Sequence, residues 1–87
     1  MPDDYRVEIV PSARKELESL HDPTLRRVLS ALRDLSRNPR GLSCRKLVGS
    51  RTRYRCRTSD HRIVYEILED LKVVRVYRIG HRSGVYR

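Results

Sequence analysis

The chain has 87 residues, which is room for one domain with a modest hydrophobic core and for no second module. Lys and Arg outnumber Asp and Glu by 20 to 11, a formal net charge of +9. No run of about 18 apolar residues is present to span a membrane, and the acidic residues near the start differ from the basic start of a secretory signal. We therefore expect a single domain, 1–87, located in the cytoplasm.

The first half of the chain begins with a predicted strand and a short helix. Apolar and polar residues alternate over 5–9, as they do in a strand. We expect Val10-Pro11-Ser12 to stop this strand and Ser12 to cap a helix. The apolar positions of that helix are Ala13, Leu17 and Leu20.

A second helix is the clearest element of the sequence. Asp22 is the expected N-cap, with Pro23 at the first helical position, and the helix should end at Asn38-Pro39-Arg40-Gly41. One face carries an apolar stripe made of Leu25, Val28, Leu29, Leu32 and Leu35. This stripe is typical of a helix that packs on a hydrophobic core.

The second half predicts three strands after a loop through Leu47-Val48-Gly49. The strand-like runs are 51–58, 61–69 and 72–79. They are separated by Ser59-Asp60 and by residues 69–71, which are short enough for hairpins. The predicted fold is α+β with the order βααβββ, two helices on one face of a small, mostly antiparallel sheet. The other face should stay partly open.

The positive charge is concentrated in this second half. Residues 1–43 carry a net charge of +1, whereas residues 44–87 carry +8 from twelve basic and four acidic side chains. Ten of the twelve are arginines, whose planar set of donors fits phosphate oxygens, whereas lysine is a point charge. The expected partner is a polyanion, either a nucleic acid or an acidic protein.

Alternation places several arginines of this half on one face of the predicted sheet. They are Arg51, Arg53, Arg55 and Arg57. A two- or four-residue loop at Ser59-Asp60 would pair Tyr54 with Tyr65 and put Arg57 directly opposite Arg62. Like charges directly opposite are destabilising, so this register suggests that an anion binds there. A three-residue loop would flip one strand and remove the argument.

The last strand extends both faces in the same way. Val74 and Val76 should face the core, and Arg75 and Tyr77 the basic side, where Val73 and Ile79 would also fall. The tail after Gly80 brings His81, Arg82 and Tyr86 toward the open face, where we expect them to form a catalytic rim.

The cysteines and histidines form no metal-binding pattern. Cys44 and Cys56 lie 12 positions apart without a Cys-x-x-Cys spacing, and we expect two free buried thiols. The three histidines have no ligand spacing. The sequence therefore predicts neither a metal site nor a cofactor.

Three segments in order resemble the RelE/ParE toxin superfamily. They are Lys46-Leu47-Val48-Gly49, then Tyr54 through Tyr65 without a gap, then Gly80-His81-Arg82-Ser83-Gly84-Val85-Tyr86. For RelE-like members the resemblance implies a metal-independent endoribonuclease that cuts mRNA, typically in the ribosomal A site, by attack of a ribose 2′-OH on the adjacent phosphate. It also implies a cognate antitoxin as partner, with operator DNA bound only through the toxin–antitoxin complex.

The resemblance also implies roles for individual residues. Arg62 matches the arginine that contacts the scissile phosphate, Arg82 the one assigned to transition-state stabilisation, and Tyr86 the tyrosine that positions or activates the substrate. Arg55 and Arg57 match basic residues that are lysines in well-known members. With Arg53 and Lys46 they are the expected substrate-binding residues.

That change from lysine to arginine leaves the general base open. Arginine stays protonated above about pH 12 and cannot accept the 2′-OH proton. The candidates are His81, Tyr86 and Lys46; a histidine suits a base because the ordinary pKa of an imidazole side chain is about 6.5. Alternatives to the ribonuclease are a ParE-like, non-enzymatic poison of DNA gyrase, a plain nucleic-acid-binding module, and a toxin that has lost activity and keeps only antitoxin binding.

Overall fold

The computed structural model describes residues 4–81, which form a five-stranded sheet with two helices on one face. In chain order the elements are β1 (Arg6–Ile9), α1 (Pro11–Glu18), α2 (Thr24–Arg37), β2 (Cys44–Lys46), β3 (Arg53–Thr58), β4 (His61–Leu68), a short 3₁₀ turn (Glu69–Leu71) and β5 (Val73–His81). The strands are ordered β1-β5-β4-β3-β2, and only β1 runs parallel to its neighbour. The predicted α+β class, with two helices on a mostly antiparallel sheet, is confirmed.

Strand β2 was not predicted. Its residues lie in the segment that the sequence analysis expected to be a loop, so the observed order is βααββββ. Three residues are too few to show alternation. Pairing with β3 holds this strand, with Cys44 opposite Cys56 and Lys46 opposite Tyr54.

Helix α1 begins one residue before its expected cap. Pro11 is the first helical residue, Val10 is the extended N-cap residue, and no side chain caps the end. Proline suits the first turn because its φ is already close to helical and the amide hydrogen it lacks would have no helical partner. Ser12 therefore lies inside the helix, and its prediction as the cap was wrong.

Helix α2 also begins differently from the prediction. Thr24 is its first residue and Pro23 is the N-cap residue, without a side-chain cap. The Asp22 carboxylate instead pairs with Arg26, at 3.3 Å between Oδ2 and Nε. The end of the helix at Arg37, with Asn38 as the C-cap residue, matches the prediction.

The hydrophobic core lies between the helices and one face of the sheet. Ala13 from α1 and the α2 residues Val28, Leu32 and Leu35 pack on Cys56, Ile63, Tyr65, Ile67, Val74, Val76 and Ile79. Tyr65 is fully buried, and its hydroxyl donates a hydrogen bond to the carbonyl oxygen of Pro39. The polar end of this ring is therefore satisfied inside the core.

A β-bulge changes the facing of the end of β5. The register on its two sides is Tyr65 with Val76 and Val64 with Arg78. Tyr77 is thus an extra residue on β5, and a bulge of this kind shifts the alternation by one position. Ile79 consequently lies in the core with 1% of its surface exposed, and its predicted place on the basic side was wrong.

No helix within residues 4–81 has the length and apolar character needed to cross a membrane.

Candidate functional site

The sheet face opposite the helices, here termed the open face, is crossed by a band of arginines. Side chains alternate along a strand, so the core residues of β3 and β4 fix which of their neighbours point outward. Those neighbours are Arg53, Arg55 and Arg57 on β3 and Arg62, Val64 and Glu66 on β4. β5 adds Arg75 and Tyr77. β2 adds Arg45, which lies directly opposite Arg55.

The β3–β4 hairpin has the register that the sequence predicted. Thr58 pairs with His61 around a two-residue loop, and Ser59 in that loop has a φ of 57°, in the left-handed region that tight hairpin turns require. Arg57 therefore lies directly opposite Arg62. On the other side of Arg62 the partner is Gly80, which has no side chain to crowd the guanidinium.

One half of the open face is neutralised by acidic side chains. Glu8 on β1 lies between Arg6 and Arg75, with Oε–Nη2 distances of 3.0 and 3.1 Å. Hydrogen bonds from Arg75 first, and then from Arg6, lower the pKa of Glu8. The cations of this half already have partners within the protein.

Glu66 organises the centre of the face. Its carboxylate accepts hydrogen bonds from the Thr52 hydroxyl at 2.7 Å and from the Tyr77 hydroxyl at 2.8 Å. Both bonds lower the pKa of Glu66, and the bond from Thr52 lowers it more than the bond from Tyr77 does. The Arg53 guanidinium lies 4.7 Å from the centre of the Tyr77 ring, a cation–π distance. Arg53 is therefore held at the neutralised side.

The other half of the face, on β2, β3 and the start of β4, contains basic side chains and no acidic ones. We term its members Arg45, Arg55, Arg57 and Arg62 the arginine cluster. Three of them line a surface depression of about 330 Å³ together with Leu42 and Ser43. Arg57 is exposed, whereas Arg55 and Arg62 are half-buried. Guanidinium groups so arranged can hold a phosphate through charged hydrogen bonds.

Two histidines and an aspartate meet at the end of the sheet beside this cluster. His61 and His81 are paired across β4 and β5, and their ring centres lie 5.6 Å apart. Asp60 approaches both, with its Oδ1 at 3.0 Å from His61 Nδ1 and its Oδ2 at 3.7 Å from His81 Nε2. The hydrogen bond with His61 is the largest cause of a lowered pKa for Asp60.

Comparison with known proteins assigns the chain to a family. Residues 7–86 match the family model described as the ParE toxin of a type II toxin–antitoxin system, parDE. The curated protein RelE1 of Methanocaldococcus jannaschii is 28% identical over 86 residues, covering 95% of this chain and 96% of its own length.

Solved structures agree with this assignment. The isolated RelE toxin of E. coli superimposes with a TM-score of 0.80 at 28% identity, covering 94% of this chain and 90% of that one. The toxin–antitoxin complex RelBE2 of Mycobacterium tuberculosis contains a chain with a TM-score of 0.80 at 27% identity, with coverages of 91% and 99%.

The chain belongs to the RelE/ParE family of type II toxins. The resemblance stated from the sequence is thereby confirmed, and among the members it is RelE-like. In this RelE-like toxin, three of the residues predicted to bind substrate or phosphate lie together in the arginine cluster, namely Arg55, Arg57 and Arg62. Arg53 shares their face but lies against Tyr77.

The other predicted site residues of the toxin are placed differently. Lys46 lies opposite Tyr54, on the helix side of the sheet, so the structure does not bring it to the cluster. His81 lies opposite His61 at the end of the sheet, and alternation places its side chain on the helix side as well. Arg82 and Tyr86 fall outside the described residues.

Arg45 is the member of the cluster that sequence reasoning missed. It could not be placed because β2 was interpreted as a loop. The signal was weak but present, since Cys44-Arg45 repeats in reverse order the Arg55-Cys56 pair that it faces. Both segments put a cysteine on the helix side and an arginine on the open face, as alternation along neighbouring strands requires.

Proposed function

We propose that this toxin is an endoribonuclease that cuts mRNA without a metal ion, through attack of a ribose 2′-OH on the adjacent phosphate, in the ribosomal A site. The observation that supports this most is the placement of Arg57 directly opposite Arg62, with Arg45 and Arg55 beside them. Such like-charge pairs destabilise a sheet. A phosphate bound between the two arginines would attract both of them and offset their mutual repulsion.

The arginine cluster supplies positioning and charge stabilisation in this mechanism. Arg62 and Arg57 would contact the non-bridging oxygens of the scissile phosphate and hold it in line with the 2′-OH. The pentacoordinate transition state carries one more negative charge than the starting diester. Guanidinium donors fixed in advance on a sheet stabilise that charge without having to reorganise. Arg82 and Tyr86 complete the proposed site by resemblance.

His81 is the proposed general base. Its Nε2 lies 3.7 Å from Asp60 Oδ2, beyond hydrogen-bond distance; closing that gap would orient the ring and set which nitrogen carries the proton. Lys46 is a weaker candidate because it lies opposite Tyr54, three residues along β3 from Arg57, whereas His81 follows Gly80, the direct partner of Arg62. Tyr86 remains the second candidate.

We further propose that the toxin pairs with a cognate antitoxin. The similar chain from M. tuberculosis was solved as a toxin–antitoxin complex. The net charge of +9 would attract an acidic, partly disordered antitoxin segment, and that segment would neutralise the arginine cluster. Operator DNA would be bound only through that complex.

Arg62→Ala tests the ribonuclease proposal, with Arg75→Ala as its matched control. Both positions are arginines on the open face, but Arg75 is paired with Glu8 and lies in the neutralised half. We expect Arg62→Ala to lower mRNA cleavage about 10²–10³-fold, the usual cost of losing one transition-state donor, and to abolish growth inhibition. Arg75→Ala should keep both.

The same experiment separates the alternative function. The matching family model is that of ParE toxins, so a poison of DNA gyrase is the second candidate. Growth arrest with DNA damage signalling and intact mRNA would support it. Full toxicity of Arg62→Ala with unchanged RNA cleavage would contradict the proposed site.

A further inference from the structure

A pair of thiols lies on the helix side of the sheet, directly behind the arginine cluster. Cys44 on β2 and Cys56 on β3 are direct partners in the antiparallel register. Both thiols are free, and both side chains point to the helix side, since Cys56 belongs to the core. Nothing in the ribonuclease mechanism uses them.

The hydrogen bonds of the β2–β3 ladder show which kind of pair this is. They are Arg57 N to Ser43 O at 3.3 Å and Leu47 N to Arg53 O at 2.8 Å. Hydrogen-bonded and non-hydrogen-bonded positions alternate along such a ladder, so Cys44 and Cys56 form a non-hydrogen-bonded pair. The Cα atoms of such pairs are about 4.5 Å apart and the side chains approach closely. A disulfide accepts Cα separations of about 4.4–6.8 Å, so the backbone already fits one.

The pair is also reachable from solvent. A cavity of about 320 Å³ opens between the end of α2 and the β2 segment, and both cysteines line it with Leu35 and Asn38. Cys44 is half-buried, whereas Cys56 is 6% exposed. A small oxidant therefore meets Cys44 first.

The two thiols differ in reactivity in the same order. A hydrogen bond from the Cys56 thiol stabilises the thiolate of Cys44 and lowers its pKa. The pKa of Cys56 is raised by its neighbour Cys44 and by burial. A thiolate is the form that attacks an oxidant, so Cys44 is suited to react first and Cys56 to react second.

We propose that Cys44 and Cys56 are an oxidation site that hydroperoxides convert into a cross-strand disulfide. The Cys44 thiolate attacks the distal peroxide oxygen, the O–O bond breaks, and the departing oxygen takes up a proton to leave as water or an alcohol. The resulting sulfenic acid is attacked by the Cys56 sulfur; the S–S bond forms, the S–O bond breaks and water leaves. Two thiols lose two hydrogens, and the peroxide is reduced.

The disulfide would act on the strand that carries Arg45. β2 is an edge strand of three residues, and edge elements of this size open readily. A covalent bond to β3 would hold Arg45 opposite Arg55 on the open face. Hydrogen exchange of the amides at 43–47 should therefore slow on oxidation.

Mass spectrometry of the full chain treated with hydrogen peroxide tests this proposal. We expect the reduced protein to take up two maleimide groups and the oxidised protein to take up none, with a mass lower by two hydrogens. The product should run as a monomer on a non-reducing gel, and dithiothreitol should restore both thiols. Thiols that survive peroxide, or disulfide-linked dimers in place of the internal bridge, would overturn the proposal.

Serine variants assign the two roles. Cys56→Ser should stop at a sulfenic acid on Cys44, trapped by dimedone, whereas Cys44→Ser should be oxidised much more slowly. Equal rates in the two variants would overturn the assigned order. Since the wild-type chain alone reports bridge formation, poor folding of a variant leaves that result decisive. RNA cleavage is not the readout, so failure of the ribonuclease proposal would not affect this test.

Discussion

The arginines of the open face differ in the residue that lies across from them. Arg53 is opposite Glu66, whereas Arg57 is opposite Arg62, in the same hairpin and on the same face. The first pair favours the folded sheet and the second disfavours it. The hairpin therefore carries a like-charge contact at the position assigned to phosphate binding and a favourable contact at Arg53, which lies against Tyr77 outside the arginine cluster.

Charge reversal should change the free energy of unfolding in opposite directions at these two positions. Arg57→Glu replaces a repulsive pair with an attractive one, so we expect the free energy of unfolding to rise by about 0.2–1 kcal/mol while RNA cleavage is lost. Arg53→Glu creates a like-charge pair with Glu66 and should lower the free energy of unfolding. Urea unfolding measures both. Destabilisation by Arg57→Glu equal to that by Arg53→Glu would contradict this account of the register.

Glu66 should contribute to the pH dependence of stability. Hydrogen bonds from Thr52 and Tyr77 lower the pKa of Glu66. A carboxyl with a lower pKa in the folded chain stabilises the fold above its unfolded value of about 4.3, and this contribution is lost as pH falls through the folded value. We expect Glu66→Gln to be less stable than the parent at neutral pH and to lose less stability on acidification.

The measurement is urea unfolding of parent and variant at neutral pH and at about pH 3. Glu18→Gln removes a carboxylate from an exposed position on α1 and serves as the control. If Glu66→Gln loses as much stability on acidification as Glu18→Gln does, the hydrogen bonds to Glu66 do not have the assigned effect.

At the scale of elements, the sequence predicted what local pattern determines. The β3–β4 register followed from alternation and a two-residue loop, and the α2 stripe followed from helical spacing. β2 did not follow, because its three residues are held by pairing with β3 rather than by their own pattern. The bulge at Tyr77 was not predicted either: Tyr77-Arg78 puts Ile79 out of step with Val74 and Val76, but the prediction carried plain alternation through to residue 79.

Removing the bulge should leave the end of β5 in place. Deleting Tyr77 takes out the extra residue and keeps the pairs of Tyr65 with Val76 and of Ile63 with Ile79, so Ile79 stays in the core. We expect the deletion to lower the free energy of unfolding by as much as Tyr77→Ala does, because both lose the hydrogen bond from Tyr77 to Glu66. Urea unfolding compares the two variants. A deletion that costs roughly 1.5–3 kcal/mol more than Tyr77→Ala, the cost of exposing a side chain of the size of Ile79, would contradict the assignment of Tyr77 as the extra residue.

At the scale of the whole molecule, the fold separates stability from recognition. Both helices cover one face of the sheet and the apolar core lies beneath them, while the second face carries the arginine cluster. Composition predicted this division, because a net charge of +8 in residues 44–87 needs a surface that apolar packing does not cover. The separation of Lys46 from Arg55 could not be predicted, because it depends on β2 being a strand.

The most direct test of the ribonuclease proposal maps the 5′ ends of mRNA in cells after induction of the toxin. We predict new ends within coding regions, phased with codons, for the parent and for Arg75→Ala, and none for Arg62→Ala. Phasing follows from cleavage in the ribosomal A site. Growth arrest by the parent with an unchanged set of mRNA ends would contradict the account.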